Sequence, residues 1–254
     1  MHTLELLART YLSKHNFFTV AQIYFKLRSF LYYGNRLYCP CCGKKFRKFI
    51  SSTPGADGKC PGCSSRSRHR IMWLYLNNKT NLFCDNLNVL HFGPEFIFQK
   101  QFRKMPNLNY TSADLDSPPG MIKMDITNIT FEDCSFDVIL CSHVLEHVVE
   151  DLKAMKELFR VLKPAGWGIL QVPIEKNREK TYEDPAIVSP KERALAFGQN
   201  DHVRIYGRDY KNRLESAGFS VNIDSYTKGL SPETIKTYVL DESEDIYLCT
   251  KPNP

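Results

Sequence analysis

"FDVILCSHVLEHVVEDLKAMKELFRVLKPAGWGILQVP", residues 136–173, changes its hydrophobic period twice. Phe136–Cys141 is a mostly apolar run of strand length. Leu145, Val148, Leu152, Met155, Leu158, Phe159 and Leu162 then recur at helical spacing and predict one amphipathic helix over 145–162. Lys163-Pro164-Ala165-Gly166 stops it, because proline cannot continue a helix and glycine supplies a turn. Gly168–Val172 reads as the next strand. Two strands joined by a crossover helix lie parallel in one sheet.

The same alternation extends in both directions. Val89–Phe92, Leu108–Ala113, Phe219–Ile223 and Ile246–Cys249 are further strand candidates, and "GRDYKNRLESAGF" predicts a helix ending at Gly218. The expected fold class is α/β, a mostly parallel Rossmann-like sheet with helices on both faces. The expected organisation is N-terminal helices over 1–36, a cysteine module over 37–70, a connecting helix over 71–85 and the α/β domain over 86–254. Within residues 1–33, Phe17 and Phe18 mark an expected break between two helices. The aromatic and basic mix of Tyr24, Lys26, Arg28, Tyr32, Tyr33 and Arg36 has two readings: peripheral contact with a membrane surface, or packing on the protein itself.

At 254 residues, 43% apolar and 24% charged, the chain can bury a substantial core. Its formal charge of +6 suits anionic partners and plain solubility alike. The absence of an 18-residue apolar run predicts no membrane-spanning helix. Glu5, Arg9 and Lys14 interrupt the apolar N-terminal residues, which argues against a signal peptide, so a cytoplasmic location is expected.

The cysteines divide into a cluster and a scatter. Cys39-x2-Cys42 and Cys60-x2-Cys63 have the spacing of two knuckles that converge on one tetrahedral zinc, with Cys41 as a bystander. Four thiolates close the coordination shell, so this zinc is expected to stabilise the fold rather than to catalyse. Cys84, Cys134, Cys141 and Cys249 lie in apolar or strand-like segments and read mostly as small core residues. Lys44, Lys45, Arg47, Lys48, Arg66, Arg68 and Arg70 surround the cluster. They read either as phosphate contacts for a nucleic acid or as a solvated face offsetting the thiolate charge.

The block at 136–173 resembles class I S-adenosylmethionine-dependent methyltransferases of the type-11 group, here preceded by a four-cysteine, zinc-ribbon-like module. The resemblance covers about residues 86–251 and implies a seven-stranded sheet, six strands parallel and the last antiparallel. In such a sheet the ligand site lies beyond the carboxyl ends of the strands. This implies a cofactor edge containing Gly93, Asp114, Asp125, Ile126 and His143, together with their neighbours His91, Phe92, Pro94, Leu115, Cys141 and Ser142. Asp114 matches the ribose-binding acid, with Asp116 as its rival, and Asp125 matches the adenine position.

The loop after the first strand departs from the family pattern of acid-x-Gly-x-Gly-x-Gly. His91 replaces the acid, Gly93 keeps the first glycine, and Glu95 and Ile97 replace the others. Glu95 is the candidate to bind the methionine ammonium. His143, His147 and His202 are the candidate general bases for an acceptor. Residues 174–207 are too long and polar for a simple connection and are expected to form a lid, with Tyr182, Glu183, Asp184, Arg204 and Tyr206 facing the acceptor. The first expectation is methyl transfer to a small molecule or glycan. The others are an RNA methyltransferase using the basic module and a non-catalytic binding protein on the same fold.

Overall fold

The computed structural model describes residues 14–51, 58–115 and 122–253. The expectations for residues 1–13, and Asp116, lie outside them. By internal contacts the chain forms two units. One holds the described residues up to Thr80 together with Ser225–Glu244, and the other holds Asn81–Asp224 and the chain from Asp245 onward.

In the first unit, helix α1 (Lys14–Leu31) runs unbroken through Phe17 and Phe18, so the expected break is absent. Strands β1 (Tyr33–Cys39) and β2 (Lys44–Phe46) pair antiparallel across the first cysteine knuckle. Helix α2 (Ser67–Lys79) follows the second knuckle.

Arg70 on α2 is fully buried and donates to the carbonyls of Gly58, Ser65 and Val239 at 3.1, 2.7 and 2.6 Å. This corrects its reading as a phosphate contact, because its guanidinium already serves buried carbonyls. The segment 225–244, which the sequence places in the α/β domain, joins this unit: Tyr226 stacks edge-on against Tyr75 at 5.4 Å, and the rings of Tyr238 and Tyr38 are 5.3 Å apart.

The second unit is built on one sheet. Its strands are β3 (Leu87–Phe92), β4 (Leu108–Asp114), β5 (Ile122–Lys123), β6 (Phe136–Ser142), β7 (Leu162–Gln171), β10 (Ser220–Asp224) and β11 (Ile246–Thr250). Their order is β10-β11-β7-β6-β3-β4-β5. Neighbours from β7 to β5 are parallel, while β11 runs antiparallel to both β7 and β10. Leu90, Phe92, Ile139, Cys141 and Leu170 line the core from the sheet, which is why these strands read as apolar runs. The two-residue β5 was missed because it is too short to show a period.

Helices α3 (Phe96–Phe102), α4 (Asp151–Val161) and α6 (Tyr210–Ser216) connect the strands. The single helix expected over 145–162 is divided. A 3-10 turn occupies Leu145–His147, the chain is extended at Val148, and α4 begins only at Asp151. The β-branched pair Val148-Val149 is a weak point for helix continuation. The break resets the phase: Ala154, Met155, Leu158 and Val161 are buried, whereas Leu152 is 40% exposed.

The turn expected at 163–166 is also different. β7 starts directly at Leu162 and carries a bulge with Ala165 at φ +59°. Lys251 holds this bulge, donating from Nζ to the carbonyls of Phe159 and Leu162 at 2.9 and 2.8 Å and accepting from Ala165 N–H at 2.9 Å.

Candidate cofactor edge, thiolate cluster and lid

The sequence runs from β3 outward to β5 and then returns to β6 on the other side of β3, so the strand order reverses between β3 and β6. Ligands of open α/β sheets bind outside the carboxyl ends at this switch. Gly93 follows β3 and His143 follows β6, so the topology puts both at that point.

Gly93 has φ +58°, and a Cβ there would lie 2.5 Å from Val144 Cγ2. A left-handed backbone and the close approach of the two loops both require glycine. His91, the substitute for the family acid, is fully buried. Its Nε2 lies 3.1 Å from Glu95 Oε2 and its Nδ1 lies 2.9 Å from Tyr110 Oη. A carboxylate only accepts, so Nε2 carries the proton and Nδ1 accepts from Tyr110. Burial and the nearby Glu95 charge push the Tyr110 phenol well up, which keeps it a donor. His91 therefore orients Glu95 at the mouth of the loop.

The other expected cofactor positions differ in environment. Phe92, Pro94, Cys141 and Ser142 are buried, Asp114 is half-buried at the end of β4, and Leu115 is 53% exposed. Asp125 is exposed, and its Oδ1 accepts from Thr127 N and Oγ1 at 2.8 and 2.9 Å, closing its own turn. Ile126 is buried in the core. Burial drives the Cys141 thiol well above its ordinary range, so it stays a neutral core group.

His143 has φ +55°, an uncommon conformation for a residue with a Cβ. It is held by its N–H to Gln171 O at 2.8 Å and by Nδ1 to Glu146 Oε1 at 3.0 Å. Glu146 was not singled out from the sequence, where it sits inside an apparent helix. The 3-10 turn instead buries it to 1% exposure. His147 and His202, 55 positions apart, bring their rings within 4.7 Å at 82°. Burial, and then the neighbouring His147, lower the His202 pKa.

The segment 174–207, expected to form a lid, carries regular structure. It contains β8 (Tyr182–Glu183) paired antiparallel with β9 (Arg204–Ile205), and α5 (Pro190–Phe197), capped by Ser189 and ended by Gly198 at φ +82°. Arg204 and Tyr206, expected to face an acceptor, are instead 3% and 0% exposed. Arg204 donates to the carbonyls of Leu145 and Val149 at 2.9 and 2.8 Å, to that of Val148, and to Glu183 Oε2 at 2.8 Å. Tyr206 donates to Asp151 Oδ2 at 2.7 Å. These side chains pin the segment to the carbonyls released where the helix breaks, so both are buried anchors rather than exposed acceptor contacts. Tyr182 is 37% exposed, and Glu183 accepts from Arg204 and Arg213.

Arg204→Ala is expected to destabilise this unit by about 3 kcal/mol, since it leaves buried acceptors unpaired. Hydrogen exchange of residues 174–207 should rise selectively. Arg204→Lys should rescue little, because an ammonium cannot reproduce the guanidinium fork.

In the first unit, Cys39, Cys42, Cys60 and Cys63 bring their four Sγ atoms within 4.8 Å of one another. The Cys39–Cys63 and Cys42–Cys60 Sγ separations are 3.6 and 3.7 Å. Four sulfurs about 2.3 Å from one tetrahedral ion stand about 3.8 Å apart, so the cluster fits zinc. Gly62 is required here, because a Cβ would lie 2.9 Å from the Phe46 ring and 3.3 Å from Cys42 Sγ. Arg28 on α1 ties down the second knuckle, donating to Pro61 O at 2.6 Å and Ser64 Oγ at 2.7 Å. Cys41 Sγ donates to His69 O at 3.5 Å and is not one of the four grouped sulfurs.

A seven-stranded sheet in this order, six strands parallel and β11 reversed, with its switch beside a single-glycine loop, is the class I methyltransferase fold. Residues 98–170, which lie within the second unit, match the family described as "Methyltransferase domain". Curated relatives match over short segments only. A 2-phytyl-1,4-beta-naphthoquinone methyltransferase of Arabidopsis thaliana is 46% identical over 43 residues, 17% of this chain and 16% of that protein. A demethylmenaquinone methyltransferase of Clavibacter sepedonicus is 47% identical over 51 residues, 20% of this chain and 21% of that protein. The aligned segments thus span about a fifth or less of these relatives.

Among solved structures, an S-adenosylmethionine dependent methyltransferase from Mesorhizobium loti superposes with a TM-score of 0.49 at 15% identity, covering 70% of this chain and 97% of that one. The [4+2]-cyclase SpnF gives 0.48 at 12% identity, covering 81% and 86%. Among the described residues, no helix is long and apolar enough to cross a membrane.

Proposed function

We propose that the chain is an S-adenosylmethionine-dependent methyltransferase that holds a structural zinc in its thiolate cluster and methylates a small-molecule or glycan acceptor. The observation that carries this reading is the pairing of Gly93 and the His91-positioned Glu95 at the switch point of a methyltransferase sheet. The cofactor supplies an electrophilic methyl group on a sulfonium, so the protein's task is alignment and exclusion of water.

Glu95 faces the cofactor ammonium, and Asp114 the ribose hydroxyls. Asp125 fixes the turn that carries Ile126 beneath the adenine position. Since its side chain closes that turn, its contribution is to shape the pocket. The phytyl-naphthoquinone and demethylmenaquinone in the relatives' names favour a small molecule for this chain. The lid, anchored through Arg204 and Tyr206, covers the acceptor side, where Tyr182 is the exposed aromatic.

Calorimetry with S-adenosylmethionine should give one site per chain, and labelled cofactor added to fractionated extract should place label in a small-molecule fraction. Label in RNA would redirect the acceptor assignment. Absence of cofactor binding would overturn the reading.

A further inference from the structure

The turn after β6 and the end of the lid form a second cluster of metal-ligating groups, distinct from the thiolates. One ligand atom from each of Glu146, His147 and His202 lies within 4.8 Å of the others. We propose that these three side chains bind one divalent first-row transition ion on the acceptor side of the cofactor edge.

The strongest indication is the Glu146 carboxylate. It is 1% exposed, and Oε1 takes the His143 Nδ1 proton at 3.0 Å while buried Oε2 has no hydrogen-bond partner. An unpartnered buried carboxylate oxygen is costly unless a cation meets it. The histidines are also oriented. His147 Nδ1 lies 3.2 Å from the Asp201 carbonyl and 3.5 Å from its carboxylate. Both groups accept, so Nδ1 carries the proton and the Nε2 lone pair is left for an ion.

A ring N–H bound to a carbonyl, and a ligand carboxylate itself hydrogen-bonded, are the usual outer supports of metal ligands. His202 is held opposite them because the next residue, Val203, donates its N–H to Glu146 O at 2.9 Å. Arg204 then fastens the chain to the same turn.

Two imidazoles and one carboxylate suit ions from Mn2+ to Zn2+ and leave coordination positions open. The His147 side chain is 34% exposed, so the cluster reaches solvent. Resting on the methyl-transfer reading, the open positions would take oxygen donors of the acceptor, lowering the pKa of a hydroxyl there. This reassigns His147 and His202 from general bases to ligands and leaves His143 as the support of Glu146.

The test uses the full chain with its structural zinc in place. Mn2+ is the probe, because a hard ion competes poorly for the four thiolates. Loss of the free-Mn2+ resonance during titration should report one site per chain. Glu146→Gln and His202→Ala should each weaken it by more than about tenfold, with zinc content unchanged. Since both residues are buried, His147→Ala at the exposed ligand provides the variant that keeps its fold, confirmed by an unaltered melting curve. Failure of the wild-type chain to take up Mn2+ or Co2+, or undiminished binding by a folded His147→Ala, would overturn the site. Cofactor calorimetry on the same preparations separates the two ideas: a chain that binds Mn2+ but no cofactor retains this site and loses the methyl-transfer reading.

Discussion

Cys60→Ser is expected to remove the zinc and the order of the first unit together. Apparent zinc-binding free energies of four-ligand structural sites are about 10–16 kcal/mol, comparable to the whole stability of a small domain. The first unit is small, the four sulfurs draw its two knuckles together, and Arg28 ties the second knuckle to α1, so loss of the ion removes a principal cross-link. Metal analysis should fall below one zinc per chain, and amides of residues 33–51 and 58–79 should lose exchange protection. Chelation of the wild-type chain should reproduce the effect. Cys41→Ser is the control: its Sγ lies outside the four-sulfur group and should leave the zinc in place. Full zinc occupancy in Cys60→Ser would refute the assignment of the ligands.

Glu95→Ala should weaken cofactor binding by about 10- to 100-fold with the sheet intact, since a charge-assisted hydrogen bond contributes about 1.5–3 kcal/mol. The side chain is positioned by the buried His91 at the loop after β3. Gly93→Ala acts through the backbone instead. Its new Cβ would meet Val144 at 2.5 Å in a left-handed conformation, so the loops after β3 and β6 must part. A cost of about 1–3 kcal/mol in stability is expected alongside the lost affinity. Denaturant unfolding beside calorimetry distinguishes the two variants: Glu95→Ala costs the hydrogen bond from buried His91, whereas Gly93→Ala adds a steric clash and should move the unfolding midpoint further. Wild-type affinity in a folded Glu95→Ala would remove the acid from the site.

Local chemistry determined much of this protein from the sequence. The two CxxC pairs announce the cysteine cluster because each knuckle is complete within a few residues, and the structure brings the same four sulfurs together. Apolar runs and helical stripes gave the order of strands and helices, since burial on both faces of a parallel sheet imposes its own period. That order places Gly93 and His143 on the two loops at the strand-order switch.

What the sequence left open depends on groups that meet only after the chain has folded. Glu146 appears in the sequence as one more polar residue of a helix, because the carbonyls freed at the Val148 break are met by Arg204, more than fifty positions away. The partnership of His91 with Tyr110 and Glu95 spans two strands and a loop, and no periodicity records it. The segment 225–244 carries no signal that sends it to the first unit rather than the sheet around it. The approach of His147 and His202 belongs to the same class: side chains 55 positions apart acquire a shared chemistry only when tertiary packing closes the distance.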